Sequence, residues 1–215
     1  MAEENNEPNK SFERMFQDAQ EAAKKLNLPP HFLFEILKDS DWSFVIKLNA
    51  LFESALEEVI FQNCFASKYA RQRDEDALRK FCSHLNLNGR TGKLELASIF
   101  GLVSSETKAY LVALSSLRNK FAHGVSGASL TIQSVAEEEG DKLAFYKRFA
   151  PFLVNAEWVD VEPEQMRFYF VISAMLRLWE LEFRSRPPPS FLGSLFTSGS
   201  GEAWWKDVEQ SPQEN

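Results

Sequence analysis

The chain has 215 residues, 44% of them hydrophobic and 13% aromatic, with a formal charge of −7, a size that suits one domain with a small appendage. No run reaches the ~18 apolar residues of a membrane span, and Met1 to Lys10 is polar and acidic, unlike a signal peptide. Cys64 and Cys82 are too few and too far apart for a disulfide framework or a zinc knuckle, so the expected setting is a reducing cytoplasm, away from membranes.

In chain order, residues 1–9 read as a disordered lead-in. A first helix is predicted from Ser11 to Leu26, with Phe12, Met15, Phe16, Ala19, Ala23 and Leu26 at helical spacing. Pro29-Pro30 ends it, and Pro30 suits the first position of a short helix to Leu37. Asp39, Ser40 or Asp41 then caps the longest element, Trp42 to Phe65. There Val45, Leu48, Phe52, Ala55 and Val59 step by three and four, and Leu51, Leu56 and Ile60 widen the stripe. At 1.5 Å per residue this spine is roughly 35 Å long.

Asp74 to Leu85 reads as a shorter helix, followed by a loop over Asn86 to Gly92. Lys93 to Phe100 is a brief helix stopped by Gly101, and the next runs from Ser104 or Ser105 to His123, with Gly124 after it. Ser129 to Ser134 and Glu157 to Val161 have the composition of short strands and predict a small ribbon. Pro163 opens a last helix to Phe183, apolar almost all round and therefore expected to be the central buried helix. Pro187-Pro188-Pro189 closes the domain. The expected architecture is an all-α helical bundle over residues 10–186 with a small β insertion before its last helix. Residues 187–215, rich in Ser, Gly and acids, are expected to be a disordered acidic tail. Its Phe191, Phe196, Trp204 and Trp205 are candidates for contact with a protein partner or the domain.

The negative charge sits mostly in the two ends. Residues 10–186 hold 24 acids against 23 bases and are nearly neutral. Within them, Lys68, Arg71, Arg73, Arg79, Lys80, Arg90 and Lys93 face only Asp74, Glu75 and Asp76 across residues 68–93. That excess suits a phosphate-facing patch; a solvated helix pair of mixed charge is the simpler reading.

The segment with the most chemistry is Leu117-Arg118-Asn119-Lys120-Phe121-Ala122-His123-Gly124. At 100° per residue, Tyr110, Leu114, Leu117 and Phe121 fall within about 60° of one another and make a core stripe. Asn119 and His123, one turn apart, fall nearly opposite with Val112, Ser115 and Ser116, and Arg118 lies at the edge between the faces. The second face is small and polar rather than crowded with Lys and Glu, so another helix can approach it closely. The same face of a second copy would bring two His123 and two Arg118 together. RNA cleavage through its own 2′-hydroxyl needs a base, an acid and positive charge on the phosphorane, and no metal. Imidazole and a guanidinium fork supply these groups. A purely structural reading stands beside this one: His123 caps the helix end, Asn119 bonds a loop, and Arg118 pairs with a carboxylate.

Arg118-Asn119-Lys120-Phe121-Ala122-His123 resembles the R-polar-x3-to-5-H signature of HEPN domains, at the short end of its spacing and with Asn as the polar residue. Further landmarks resemble the bacterial mannitol operon repressor (MltR) family: Ser40-Asp41 before a long helix, Leu51-Phe-Glu-Ser-Ala-Leu-Glu-Glu58, Gly92-Lys93, Ala97-x-x-x-Gly101-Leu-Val, then Leu117 to His123. Together they span residues 34–126. The resemblance implies a helical, usually dimeric fold. It implies metal-independent ribonuclease activity, in a toxin–antitoxin or phage-defence context, from a composite site with Arg118 and His123 catalytic and Asn119 supporting. It equally implies a non-catalytic regulatory module of the MltR type. No cofactor is expected, since no P-loop, dinucleotide fingerprint, zinc-protease helix or nucleophile elbow is present. Glu53 and Glu57 stack one turn apart with Glu58 beside them, but lack the His-containing pair of a di-iron bundle and read as a solvated face. His31 and His84 read as structural.

Overall fold

The computed structural model describes residues 7–29, 31–65, 72–123, 130–152 and 163–185. Among them the fold is all-α, with no strand. The helices are α1 (Glu7–Lys25), α2 (Phe32–Glu35, continued as a 3-10 turn, Ile36–Lys38), α3 (Asp41–Phe65), α4 (Gln72–His84), α5 (Lys93–Ile99), α6 (Ser105–His123), α7 (Ile132–Glu138), α8 (Lys142–Lys147) and α9 (Pro163–Ser185). The described helices fall in one compact unit, and the tail expected over 187–215 lies outside the described residues.

α3 is the spine, packed against α4, α5, α6 and α9. Its stripe is buried as the spacing requires: Val45, Leu48, Phe52, Ala55, Leu56, Val59 and Ile60 all lose essentially their whole surface. Ser40 caps it, accepting from Ser43 N at 3.4 Å. Aromatic rings link the layers around this spine. Phe52 on α3 meets Tyr110 on α6 edge-on at 5.5 Å, Tyr110 meets Phe149 after α8 at 6.3 Å, and Phe149 stacks on Phe170 of α9 at 4.6 Å. Such offset and edge geometries add to the area each ring buries.

Three expectations are corrected. Where the strand expected over Ser129 to Ser134 is described, the chain enters α7 at Ile132 instead. Thr131 Oγ1 accepts from Ser134 N at 3.0 Å and Ser134 Oγ from Thr131 N at 3.1 Å, a reciprocal cap that starts a helix. Ile132, Val135 and Ala136, spaced by three and four, are then buried together, so packing overrides the β preference of Thr and Ile. The companion strand, Glu157 to Val161, lies outside the described residues. The second correction is α9, which is not buried all round: Leu176, Trp179 and Phe183 are about half exposed along one stripe, while Phe170, Val171, Ala174, Leu178 and Leu181 face the core. α3 is the central helix instead. Third, α1 begins at Glu7 rather than Ser11, shortening the lead-in; Pro8 falls in its first turn, where a missing N–H leaves no hydrogen bond unmade.

Candidate functional site

α6 runs from Ser105 to His123, the bounds its sequence predicts. Ser104 Oγ caps it by accepting from Thr107 N at 3.1 Å. The start is held a second time from α9, where Glu180 Oε1 accepts from Ser104 N at 2.9 Å and its other oxygen accepts from the Thr107 hydroxyl. Upstream, Gly101 adopts a left-handed φ of +69°, and Leu102 N reaches back to Ala97 O at 2.9 Å, so α5 ends and the chain turns into α6.

The inward stripe of α6 is Thr107, Tyr110, Leu111, Leu114, Leu117 and Phe121, all buried. Asn119 and His123 are exposed on the opposite side, with Val112 and Ser116, and Arg118 is half-buried at the edge. Ser115, expected on the outer face, is 7% exposed and is corrected to the packed side. The Ser116 hydroxyl donates back to Val112 O at 3.0 Å, which leaves the outer face low in relief and its polar group satisfied. Arg118 Nη1 donates to Asn119 Oδ1 at 3.1 Å, so the guanidinium and the carboxamide are joined. Lys120 is committed elsewhere: its ammonium lies 2.9 Å from Glu139 Oε1, after α7, and Glu139 also binds Arg148. Those two cations hold the Glu139 carboxyl below the usual carboxylate range.

The end of α6 is fastened by residues that sequence reasoning placed only as helix-start candidates. Trp42 Nε1 donates to Phe121 O at 3.2 Å, and Asp41 Oδ2 accepts from Ile132 N at 2.8 Å. Asp41 is paired with Arg167 of α9 at 3.4 Å. The one sequence signal for this role is the placing of an acid and an indole together at the start of the longest helix.

The other candidates resolve as structure. Glu53 and Glu57 are not a solvated face but flank Lys93, whose ammonium sits 3.6 Å from one and 2.8 Å from the other while its side chain is only 3% exposed. Among the described residues no three His, Cys, Asp or Glu side chains group to hold a metal ion. The basic stretch over 68–93 is partly consumed in the same way: Arg79 pairs with Glu58 at 3.0 Å and covers the Phe61 ring at 3.4 Å. Lys68 and Arg71 lie outside the described residues, as do Trp204 and Trp205. His31 Nδ1 lies 3.3 Å from Gln20 Nε2, bridging α1 and the start of α2. No described helix is long and apolar enough to cross a membrane.

The geometry at the end of α6 offers a guanidinium on a carboxamide and an exposed imidazole one turn on, beside a flat face. Such a set binds a phosphate and moves a proton if a second set lies opposite. Comparisons with protein-family models, curated proteins and solved structures return no match for this chain.

Proposed function

We propose that the chain is a HEPN-type endoribonuclease, cytoplasmic, metal-independent and active as a homodimer through the Val112, Ser116, Asn119 and His123 face, in a toxin or phage-defence context. The observation that carries this reading is the placement of Arg118, Asn119 and His123 at the surface end of one helix, next to a face of small residues. One His123 takes the proton of the 2′-hydroxyl, and the 2′-oxygen attacks phosphorus. The P–O5′ bond breaks, and the His123 of the second copy gives a proton to the leaving 5′-oxygen. The products are a 2′,3′-cyclic phosphate and a 5′-hydroxyl. Arg118 binds the phosphorane oxygens as charge accumulates there. The test is cleavage of RNA in EDTA by the wild type, His123→Ala and Arg118→Ala. Equal cleavage by all three would remove the site.

A second reading is a non-catalytic regulatory module of the MltR type that binds a protein through its surface and its acidic tail. The observation favouring it is the apolar stripe of α9, where Leu176 and Trp179 are 46% and 50% exposed. Pull-down with and without residues 187–215 tests it; no tail-dependent partner counts against it.

A further inference from the structure

We infer that Asp41 and Trp42 are positioning residues for His123, an inference that rests on the ribonuclease reading. His123 is the last residue of α6. The carbonyls of a final helical turn have no partners within the helix, and a terminal turn frays. An imidazole carried there loses its aim unless something outside the helix holds the turn.

Two consecutive residues at the start of α3 do so. Trp42 Nε1 donates to the carbonyl of Phe121, two residues before His123, at 3.2 Å. Asp41 Oδ2 accepts from Ile132 N at 2.8 Å, on the far side of the segment that follows His123. The carboxylate itself is fixed: its side chain is 9% exposed and Arg167, 12% exposed, stands 3.4 Å from Oδ1. Arg167 also donates to Asp39 O, so α9 braces the same corner. The chain is thereby held at Phe121 and at Ile132 by neighbouring side chains at the start of α3. A displacement of about 1 Å at a reacting group costs on the order of 100-fold in rate, so a grip on this turn bears directly on turnover.

The experiment uses the full chain. With three histidines in the sequence, His123→Ala assigns the imidazole resonances by difference. Trp42→Phe keeps an aromatic ring and removes the donor. The expected result is broadened or shifted His123 ring signals with those of His31 and His84 in place, and a fall of about tenfold in kcat with KM unchanged. Unmoved His123 signals, or equal shifts at all three histidines, overturn the inference. In the wild type the Trp42 indole N–H should exchange slowly with solvent although the residue is 42% exposed, and fast exchange also overturns it. A wild type that cleaves no RNA defeats the ribonuclease reading alone, because the imidazole and indole measurements do not depend on turnover.

Discussion

Arg118 Nη1 donates to Asn119 Oδ1 at 3.1 Å, across adjacent residues in the last turns of α6. The bond uses one of the five donors of the guanidinium and fixes the plane of the fork. A planar fork matches two phosphate oxygens, and a lysine ammonium does not. Arg118→Lys should therefore lower the rate of RNA cleavage roughly 100-fold despite keeping the charge. Asn119→Ala, which only releases the fork, should lower it about tenfold. Single-turnover cleavage of a short RNA checks both, and equal rates for wild type and Arg118→Lys contradict the assigned role.

The flat outer face of α6 predicts a monomerising substitution. Val112 is 45% exposed and Ser116 lies one turn on. Val112→Arg or Ser116→Arg places charge and bulk where the proposed dimer would bring two helices together. Light scattering after size exclusion should show a dimer for the wild type and a monomer for either variant, with unchanged helicity and lost cleavage. A wild type that is monomeric at all concentrations contradicts the interface.

The predicted bounds of α6 match the structure because the signals there are local and backbone-driven: Ser104 caps one end and Gly101 enforces the turn before it. The spine α3 was equally readable, since one stripe of large apolar residues admits one buried face. What stayed hidden is set by long-range partners. Lys93 is buried only because Glu53 and Glu57, some forty residues earlier in the chain, receive it. The N–H of Ile132, at the start of α7, finds its acceptor in Asp41, 91 residues earlier in the chain. The half-exposed stripe of α9 has the composition of core because hydrophobicity reports what can be buried, not how much surface is at hand to bury it.

Glu180 predicts an acid-dependent link between α9 and α6. Burial pushes its carboxyl up, but the hydrogen bonds from Thr107 and Ser104 and the nearby Arg184 outweigh that, and the net shift is downward from the ordinary 4.5. A lowered folded value means stability that is present above about pH 4.5 and lost as pH falls through the folded value. Glu180→Gln should cost about 1–2 kcal/mol at pH 7. Its deficit should shrink toward pH 3. Urea unfolding of both proteins at the two pH values measures this, and a deficit independent of pH contradicts it.

Two glycines separate backbone strain from crowding. At Gly101, φ is +69° and an added Cβ meets nothing within 4 Å, so Gly101→Ala costs only the left-handed backbone penalty, about 1 kcal/mol. At Gly92 an added Cβ would stand 2.8 Å from the Asn88 carbonyl carbon and 2.9 Å from Asn86 O, both main chain. Gly92→Ala must move the loop that receives Lys93 N and Leu94 N, and should destabilise more than Gly101→Ala in thermal unfolding. The reverse order contradicts the geometry.

The most direct test of the account is the fate of RNA in EDTA with wild type and His123→Ala at matched dimer concentration. The account predicts cleavage by the wild type leaving 2′,3′-cyclic phosphate ends, and a loss of at least roughly 100-fold in His123→Ala. Cleavage of the same rate and product by His123→Ala, or none by a dimeric wild type across varied RNAs, contradicts it.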